Sequence, residues 1–448
     1  MNSKSNKGST RREFVKRSGT VVAASTAIGM VGAPSTVRAA AHVAGSDTMR
    51  IGLIGCGGRG TGAAQQAMNT ESGKVELVAA GDAFENRLNQ AIDGCKRHKE
   101  DHVSVNDNSK FVGFDAYKRV LDQELDLVIL ATPPAFRPMH FEAAIDAGKH
   151  VFMEKPVAVD APGVRRILRS TEIASKKGLA VGVGLQRRHE RAYREVIGEL
   201  QNGAIGDFIF AKVYWNMGSL WVNPKQEGQT ELEYQLRNWL YFTWLSGDHI
   251  VEQHIHNMDV INWLMNGYPV KANGMGGRQV RVGARHGEIF DHHAVEFEYE
   301  SGLIMSSQCR QIPDCWNSVS EHVYGTKGYS DISAGVIYDH DGNEVFKTNG
   351  SRGGHQQEHH DLFADLQNGE LPNEGEYGAK STMTAILGRL CTYTGKEIKW
   401  EDAINSEVSL CDVDSIKSID DMAPVQPLES GEYAYAMPGS NIEKYIDF

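Results

Sequence analysis

The chain has 448 residues, which is enough for two domains of ordinary size. Apolar residues make up 41% and charged residues 23%, values typical of a soluble globular protein that exclude a disordered or fibrous one. The net charge is −12; the first 41 residues contribute +6, so the remainder carries −18. We find no basic face of the kind that binds nucleic acid or an anionic membrane surface.

The first 41 residues have the pattern of an export signal. The stretch Thr10-Arg-Arg-Glu-Phe-Val-Lys16 precedes a mildly apolar run, Val21–Val31, and the small residues Ala39–Ala41 suit cleavage. The pattern resembles a twin-arginine signal, which is an address read by a receptor and not an anchor. The apolar run is too short and too diluted for a transmembrane span of about 20 residues. We therefore expect export by the twin-arginine route to the periplasm or another extracytoplasmic space, without stable membrane insertion.

An apolar strand runs straight into a glycine-rich turn and then into helical sequence. The turn has the G-x-G-x-x-G spacing of a dinucleotide cradle and comprises Gly55, Gly57, Gly58, Arg59 and Gly60. The following helix offers free N–H groups and the positive end of its dipole to phosphates. A second strand, Val75–Gly81, ends at Asp82, whose carboxylate is placed to bind an adenosine ribose and to repel a 2′-phosphate. The residues therefore predict NAD as the cofactor, with NADP disfavoured.

From Met49 the hydrophobic pattern alternates between strand and helix. We predict strands at Met49–Gly55, Val75–Gly81, Phe111–Phe114, Leu127–Ala131, His150–Glu154 and Leu179–Leu185. Helices are predicted through Ala63–Met68, Glu85–Arg97, Tyr117–Leu121, Pro138–Ala147 and Gly163–Lys177. Such alternation builds a doubly wound parallel sheet. The sequence therefore predicts an α/β fold with an NAD(P)-binding Rossmann domain over residues 49–185.

Beyond residue 185 the pattern changes to that of an α+β domain over residues 186–448. An amphipathic helix, Arg191–Gln201, is followed by segments in which apolar and polar residues alternate: Gly206–Met217, Gly283–Tyr299, Gly302–Gln311 and Ser318–Tyr324. Further helices are predicted at Ile250–Met265, His359–Asn368 and Ser381–Thr394. Alternation with turn signals is typical of a large, open and mostly antiparallel sheet with one exposed face.

Several motifs stand in the order and spacing of one known family. They are the glycine turn, Ala131-Thr-Pro133, His140, Gly148-Lys-His-Val151 and Glu154-Lys-Pro156. On these residues the chain resembles the Gfo/Idh/MocA oxidoreductases, named for glucose–fructose oxidoreductase and inositol dehydrogenase. The resemblance implies action on sugars, cyclitols or their derivatives, and a second domain that forms homo-oligomer contacts in a dimer or tetramer. It assigns Thr132, Pro133, His140, Glu154 and Lys155 to the cofactor side of the site.

The resemblance also implies three catalytic residues. Lys155 is expected beside the nicotinamide, where it would stabilise alkoxide charge. His256 takes the place of the proton-transferring histidine, and its ordinary pKa of about 6.5 suits removal and return of a hydroxyl proton. Glu252 stands where the family usually has Asp and would orient the others. On one continuous helix, Glu252, His256 and Asp259 share a face, so we also expect Asp259 to contact substrate.

Gln186, Arg187 and Arg188 end the last strand of the first domain, where family members often complete the substrate pocket. They are equally consistent with surface charges. A group of aromatic residues precedes the catalytic helix, and one or two of its members are expected to touch a sugar face: Tyr214, Trp215, Trp221, Tyr234, Trp239, Tyr241, Phe242 and Trp244.

We predict no metal, because hydride transfer needs none and the histidine-rich segments lack a trusted ligand spacing. Candidate ligands in those segments are His254, His256, Glu252, His355, Glu358, His359 and His360.

The leading hypothesis is an exported oxidoreductase that holds its NAD(P) tightly and couples oxidation of one carbohydrate to reduction of another. One alternative is redox-neutral glycoside cleavage, elimination or epimerisation through a transient keto-sugar. Another is a carbohydrate sensor that uses the nucleotide structurally.

Overall fold

The computed structural model describes residues 48–447. The predicted export signal, residues 1–41, lies outside this range, so the structure does not bear on it. Among the described residues, no helix is both long enough and apolar enough to cross a bilayer. The six cysteines all lie in the described part and are free.

A parallel six-stranded sheet forms the N-terminal part. Its strands are β1 (Thr48–Ile54), β2 (Lys74–Asp82), β3 (Lys110–Val112), β4 (Leu127–Leu130), β5 (His150–Met153) and β6 (Val181–Val183). Their spatial order is β3-β2-β1-β4-β5-β6, and every pairing is parallel. From β1 the chain adds β2 and β3 on one side of the sheet and then returns to add β4, β5 and β6 on the other side. Such sheets bind ligands at this point of reversal, between β1 and β4. The predicted Rossmann sheet is confirmed.

The helices of this part are α1 (Gly58–Met68), α2 (Glu85–His98), α3 (Ala116–Leu121), α4 (Arg137–Asp146) and α5 (Ala161–Lys177). Helix α5 shows how local sequence sets their ends. The Asp160 side chain accepts a hydrogen bond from the Gly163 N–H at 2.9 Å, and Pro162 sits in the first turn. The helix ends at Gly178, whose φ of +67° suits a residue without a Cβ.

A nine-stranded sheet forms the second part. Its strands are β7 (Phe208–Met217), β8 (Pro269–Gly277), β9 (His292–Tyr299), β10 (Ile304–Gln311), β11 (Ser318–Gly325), β12 (Gly328–Asp331), β13 (Val336–Asp339), β14 (Glu344–Lys347) and β15 (Ile398–Lys399). The spatial order is β14-β13-β12-β11-β7-β10-β9-β8-β15. Only the β7–β10 pair of this described sheet is parallel, so the predicted mostly antiparallel sheet is confirmed.

The sequence prediction of this sheet lacks β8, β12, β13, β14 and β15 and places the start of β9 too early. The strand predicted from Gly283 begins at His292, because Gly283 and Gly287 adopt φ of +81° and +54° on either side of a short 3₁₀ turn. Strand β8 was not predicted at all. Its sequence, PVKANGMGG, contains glycines that remove the alternation of apolar and polar side chains on which the prediction depends.

The helices of the second part are α6 (Arg191–Gln201), α7 (Glu231–Arg237), α8 (Thr243–Ser246), α9 (His249–Glu252), α10 (Ile255–Met265), α11 (Gly354–Asn368), α12 (Gly375–Thr394) and α13 (Trp400–Asn405). The prediction of one helix over Ile250–Met265 is wrong, since the helix is interrupted between α9 and α10. At the break, His254 turns into the sheet, and its Nε2 lies 2.8 Å from the Ser307 hydroxyl. Side-chain burial has therefore overridden helical periodicity here.

The two sheets share one hydrophobic core. A single cluster of buried side chains contains Val128 and Val151 of the first sheet together with Val213 and Phe297 of the second. Helix α12 lies between the layers, and nearly all of its residues are buried. This shared core holds α9 and α10 against the carboxyl ends of the parallel strands.

Candidate active site

A cavity of about 690 Å³ lies where the carboxyl ends of the parallel strands meet α9 and α10. Its size and its place at the reversal of strand order are typical of a cofactor site. Most of the residues predicted for the site line it: Gly55, Gly57, Gly58, Arg59, Asp82, Thr132, Pro133, His140, Glu154, Lys155, Glu252 and His256. The structure thus brings the predicted cofactor and catalytic residues to one place.

The glycine turn has two kinds of position. Gly55 has φ of +94°, and a Cβ there would lie 2.5 Å from backbone atoms of Ala131 and Thr132. Gly60 does not line the cavity; a Cβ there would lie 2.0 Å from the Gly55 carbonyl oxygen, so this glycine lets α1 pack against the turn.

The other two glycines of the turn face open space. A Cβ on Gly58 would meet no atom within 4 Å, and one on Gly57 would meet only Arg87, at 3.9 Å. The turn therefore leaves room beside the first N–H groups of α1, where a pyrophosphate would fit.

Asp82 ends β2 at the cavity wall. Its carboxylate accepts hydrogen bonds from the Cys56 N–H at 2.7 Å and the Phe84 N–H at 2.8 Å. Burial raises the pKa of this carboxyl, and the two backbone donors and nearby arginine side chains oppose the rise. The side chain is thus fixed in position with lone pairs left for hydroxyl groups of a ligand.

Two charged or polar contacts support the floor of the cavity. Arg59 binds the buried carboxylate of Glu154, with 2.6 Å between Nε and Oε1. The His140 Nδ1 lies 3.2 Å from the Thr132 hydroxyl. Burial is the main cause that lowers the pKa of His140 to about 3, and the nearby Arg137 guanidinium is the second. His140 is therefore a neutral ring at physiological pH.

Lys155 of the first domain and Glu252 of the second form an ion pair at the cavity. The Lys155 Nζ donates to the Glu252 carbonyl oxygen at 2.6 Å and to its carboxylate at 2.9 Å. Only 12% of the lysine side chain and 15% of the glutamate side chain are exposed. In this shielded position the ammonium has a fixed direction, and its charge is less screened than in water.

His256 lines the same cavity at the start of α10. Its ring stacks on Trp215 with 6.0 Å between centroids, and Nδ1 is enclosed without a hydrogen-bond partner. Burial lowers the pKa of His256 well below its usual range, and the charges of Lys155 and Arg187 lower it further. The imidazole is therefore neutral at physiological pH and able to accept a proton.

The three remaining predicted substrate residues do not line the cavity. Arg187 is buried in an ion pair with Glu321. Asp259 is occupied by two nitrogens of Arg188, at 2.9 and 2.8 Å, and by the Ser381 hydroxyl at 2.7 Å. Gln186 has a buried side-chain oxygen without a partner. Their contact with substrate stays a prediction, and the structure gives Arg187 an electrostatic influence on His256 instead.

Several lining residues were not assigned from the sequence. Trp221 and Trp239 belong to the aromatic group from which one or two contacts were expected, and His355 belongs to the second histidine cluster. No sequence signal distinguishes the others from ordinary core or surface residues: Arg87, Phe114, Tyr117, Phe136, Arg137 and Asn223.

Comparison with known proteins agrees with this geometry. Inositol 2-dehydrogenase of Salmonella typhimurium is 26% identical over 219 residues, which are 49% of this chain and 55% of that enzyme. The chain thus spans about half the length of such curated relatives.

Two solved structures share the fold. Scyllo-inositol dehydrogenase from Lactobacillus casei, with bound NAD(H) and scyllo-inositol, has 19% identity and a TM-score of 0.59. Aldose-aldose oxidoreductase from Caulobacter crescentus, complexed with glycerol, has 18% identity and a TM-score of 0.61. Each match covers 79% of this chain and 99% of the other.

Two family models match consecutive parts of the chain. Residues 49–185 match the NAD-binding Rossmann fold of the oxidoreductase family GFO_IDH_MocA, and residues 193–330 match a GFO/IDH/MocA C-terminal domain. With the glycine turn, the six-stranded sheet and the shared cavity already in place, these matches show that the chain belongs to the Gfo/Idh/MocA family of oxidoreductases.

Proposed function

We propose that this protein is an NAD-dependent oxidoreductase that moves a hydride between its nicotinamide cofactor and an alcohol carbon of a sugar, cyclitol or sugar derivative. One observation carries the proposal. Lys155, Glu252 and His256, contributed by separate parts of the chain, converge on a cavity whose other wall is the glycine turn. Bound there, the nicotinamide would supply the hydride acceptor.

The protein side chains would manage the proton. Oxidation of an alcohol carbon also releases the hydroxyl proton, and the neutral imidazole of His256 is suited to accept it. The Lys155 ammonium would stabilise negative charge that develops on the alcohol oxygen. Glu252 would hold the ammonium in place, through both its carboxylate and its backbone carbonyl.

Asp82 favours NAD over NADP. Its carboxylate stands at the end of β2, and its two backbone hydrogen bonds leave lone pairs for ribose hydroxyls. A 2′-phosphate at this position would meet a negative charge. Arg87 also lines the cavity and is the side chain that could offset part of that repulsion.

Export would explain tight retention of the cofactor. The twin-arginine-like pattern in residues 1–41 supports a periplasmic or other extracytoplasmic location. A charged nicotinamide dinucleotide does not cross a membrane by itself, so free cofactor would not replace the bound one there. We therefore propose that oxidation of one carbohydrate reduces the bound cofactor, which then reduces a second carbohydrate. The Caulobacter crescentus protein with this fold is named for such a coupled reaction.

We also propose a homo-oligomer built on the open face of the nine-stranded sheet. Half-buried aromatic side chains form a row across that face, from Phe210 on β7 through Tyr324 on β11 and Tyr329 on β12 to Tyr338 on β13. Aromatic side chains on neighbouring strands favour contact with a second copy. Sedimentation analysis should therefore give a mass of at least two chains.

The proposed function is tested on protein purified without added cofactor. Denaturation should release NAD in a ratio of one per chain. Addition of sugars and cyclitols to the intact protein should change nicotinamide absorbance, and Lys155→Met should slow that change by about 10²–10³. An isomerised or cleaved carbohydrate without net redox change would favour the redox-neutral alternative. Carbohydrate binding without any turnover would contradict an enzymatic function and favour a sensor.

A further inference from the structure

Three potential metal ligands meet in the core of the second domain. Asp248 precedes α9, His249 begins it, and His293 lies on β9. Each offers one ligand atom, and these atoms lie within 4.8 Å of one another. All three residues are buried, with at most 2% of their surface exposed. None of them lines the cofactor cavity, so the cluster is separate from the site described above.

Hydrogen bonding sets the tautomer of His293. The Thr392 hydroxyl donates to the Arg389 carbonyl oxygen at 2.9 Å, so its oxygen acts as acceptor toward the His293 Nδ1, also at 2.9 Å. The Nδ1 therefore carries a hydrogen. In the neutral ring the lone pair of Nε2 then lies 3.4 Å from Asp248 Oδ1. Two acceptors that face each other need a cation between them, either a metal ion or a second proton.

The ring of His249 lacks hydrogen-bond partners. Neither of its ring nitrogens has a hydrogen bond, although the residue is completely buried. Its Nε2 lies 3.9 Å from Asp248 Oδ1. Unpaired buried polar atoms are rare because each costs free energy, and a bound ion would satisfy this one.

Asp248 is held in position by its surroundings. Its φ of 75° is in a region that residues with a Cβ seldom occupy, and such strain is concentrated at ligand sites. Its Oδ2 accepts hydrogen bonds from the Tyr393 hydroxyl at 2.6 Å and the Phe290 N–H at 2.9 Å. These contacts orient the carboxylate. Its Oδ1 accepts a hydrogen bond from the His249 N–H at 2.5 Å and also faces the Nε2 atoms of His293 and His249, at 3.4 and 3.9 Å.

We propose that Asp248 Oδ1, His249 Nε2 and His293 Nε2 bind one divalent transition-metal ion. Two imidazoles and one carboxylate suit Zn²⁺, which accepts nitrogen and oxygen ligands in a tetrahedral arrangement. Water would complete the coordination. Because α9 also carries Glu252, the ion would fix the start of the short helix that positions the partner of Lys155. The role is structural, with an indirect effect on the catalytic residues.

Charged groups near the cluster act on a bound cation in both directions. The guanidinium groups of Arg281 and Arg389 oppose a further positive charge, whereas the carboxyl groups of Asp248 and Glu288 favour one. Binding therefore depends mainly on the geometry of the three ligands.

The test begins with the full-length exported protein. After treatment with a chelator, the protein is dialysed against Zn²⁺ or Co²⁺ and its metal content is measured. We expect one ion per chain, a visible absorption band for the cobalt form and a higher Tm for the zinc form. None of these readouts depends on turnover, so the result stands apart from the proposed catalytic function.

Substitutions locate the site. His249→Gln and His293→Gln should each weaken zinc binding at least tenfold. His359→Gln is the matched control, because His359 is equally buried, its ring nitrogens also lack partners, and it lies on α11. The control should retain one ion per chain.

Two outcomes would overturn the proposal. One is wild-type protein that takes up neither ion, which would mean that a proton occupies the gap between His293 and Asp248. The other is unchanged zinc affinity in both histidine variants. If a variant does not fold, the metal content and cobalt spectrum of the wild type decide.

Discussion

Two walls of the cavity differ in composition, since one is mainly backbone and the other is mainly side chains. The cofactor wall, where we propose that NAD binds, consists of backbone at Gly55, Gly57 and Gly58 together with Asp82. The catalytic wall consists of side chains, and its central ion pair joins Lys155 to a residue 97 positions away. Open space and N–H groups characterise the first wall, whereas the second holds a shielded charge pair beside a neutral imidazole. Changes to the first should therefore alter binding of NAD, and changes to the second should alter the chemical step.

The largest effect should come from Lys155. In Lys155→Met, kcat should fall by about 10²–10³, because the group that we propose stabilises the developing oxyanion is lost. The Kd for NAD should change little. Steady-state kinetics and calorimetric titration of NAD measure the two quantities.

Glu252→Gln is the matched control for Lys155→Met. The ammonium keeps its hydrogen bond to the backbone carbonyl of residue 252, so kcat should fall only about tenfold. The double variant should regain stability relative to Lys155→Met, because no unpaired carboxylate remains, without regaining turnover. If Lys155→Met raised the Kd for NAD by the same factor as it lowered kcat, the proposed division between a binding wall and a catalytic wall would be contradicted.

His256→Gln should lower kcat by about 10²-fold, the usual contribution of a positioned base. The wild-type pH profile provides a second check. Since burial lowers the pKa of His256 well below its usual range, the ring stays neutral as the pH falls through 6.5. Oxidation measured as kcat/KM should therefore remain level between pH 7.5 and about 6. A decline centred on 6.5 would show that another group, or an exposed histidine, is the base.

Two alanine substitutions distinguish the glycine that shapes the turn, Gly55, from the glycine that faces open space, Gly58. Gly55→Ala places a Cβ 2.5 Å from backbone at φ of +94°, so the turn must distort and the Kd for NAD should rise more than tenfold. Gly58→Ala adds a methyl group to open space and should preserve folding, with a smaller rise in Kd from contact with the cofactor. Similar Kd values for the two variants would contradict the assigned roles.

Asp82→Asn should weaken the preference for NAD over NADP. Loss of the negative charge removes repulsion of a 2′-phosphate, so the ratio of the Kd for NADP to that for NAD should fall about tenfold, which is about 1.4 kcal/mol. Circular dichroism controls for folding, because the carboxylate also accepts the Cys56 and Phe84 N–H groups. An unchanged ratio would place discrimination elsewhere, with Arg87 as the next residue to change.

The smallest effect concerns stability in acid. Burial lowers the pKa of His140, on the cofactor side, and of His254, at the α9–α10 break, to about 3 each. An unfolded chain takes up protons on these rings below about pH 6.5, whereas the folded chain does not, so stability falls as the pH drops through 6.5 and toward 3. His140→Gln and His254→Gln should each reduce the loss between pH 7 and 5.5 by about 1 kcal/mol in urea unfolding. No change in either variant would show that the rings are protonated in the folded protein.

The same contrast explains what could be predicted from the sequence. The glycine turn of the cofactor wall is one short segment, so the positive φ of Gly55 follows from local chemistry. The same holds for the end of α5 at Gly178. The break at His254 could not be predicted, because it depends on a contact with Ser307 in a distant strand. Helical periodicity placed Asp259 beside His256, whereas the structure commits it to Arg188.

The most direct test of the central claim is energy transfer from tryptophan to NADH in nucleotide-free protein. Trp221 and Trp239 line the cavity, so excitation of tryptophan should give emission from bound NADH that saturates at one per chain. Trp221→Phe with Trp239→Phe should reduce this emission while the calorimetric Kd stays within about threefold. NADH that does not bind at millimolar concentration, or that binds without energy transfer in the wild type, would contradict a nicotinamide beside Lys155 and His256.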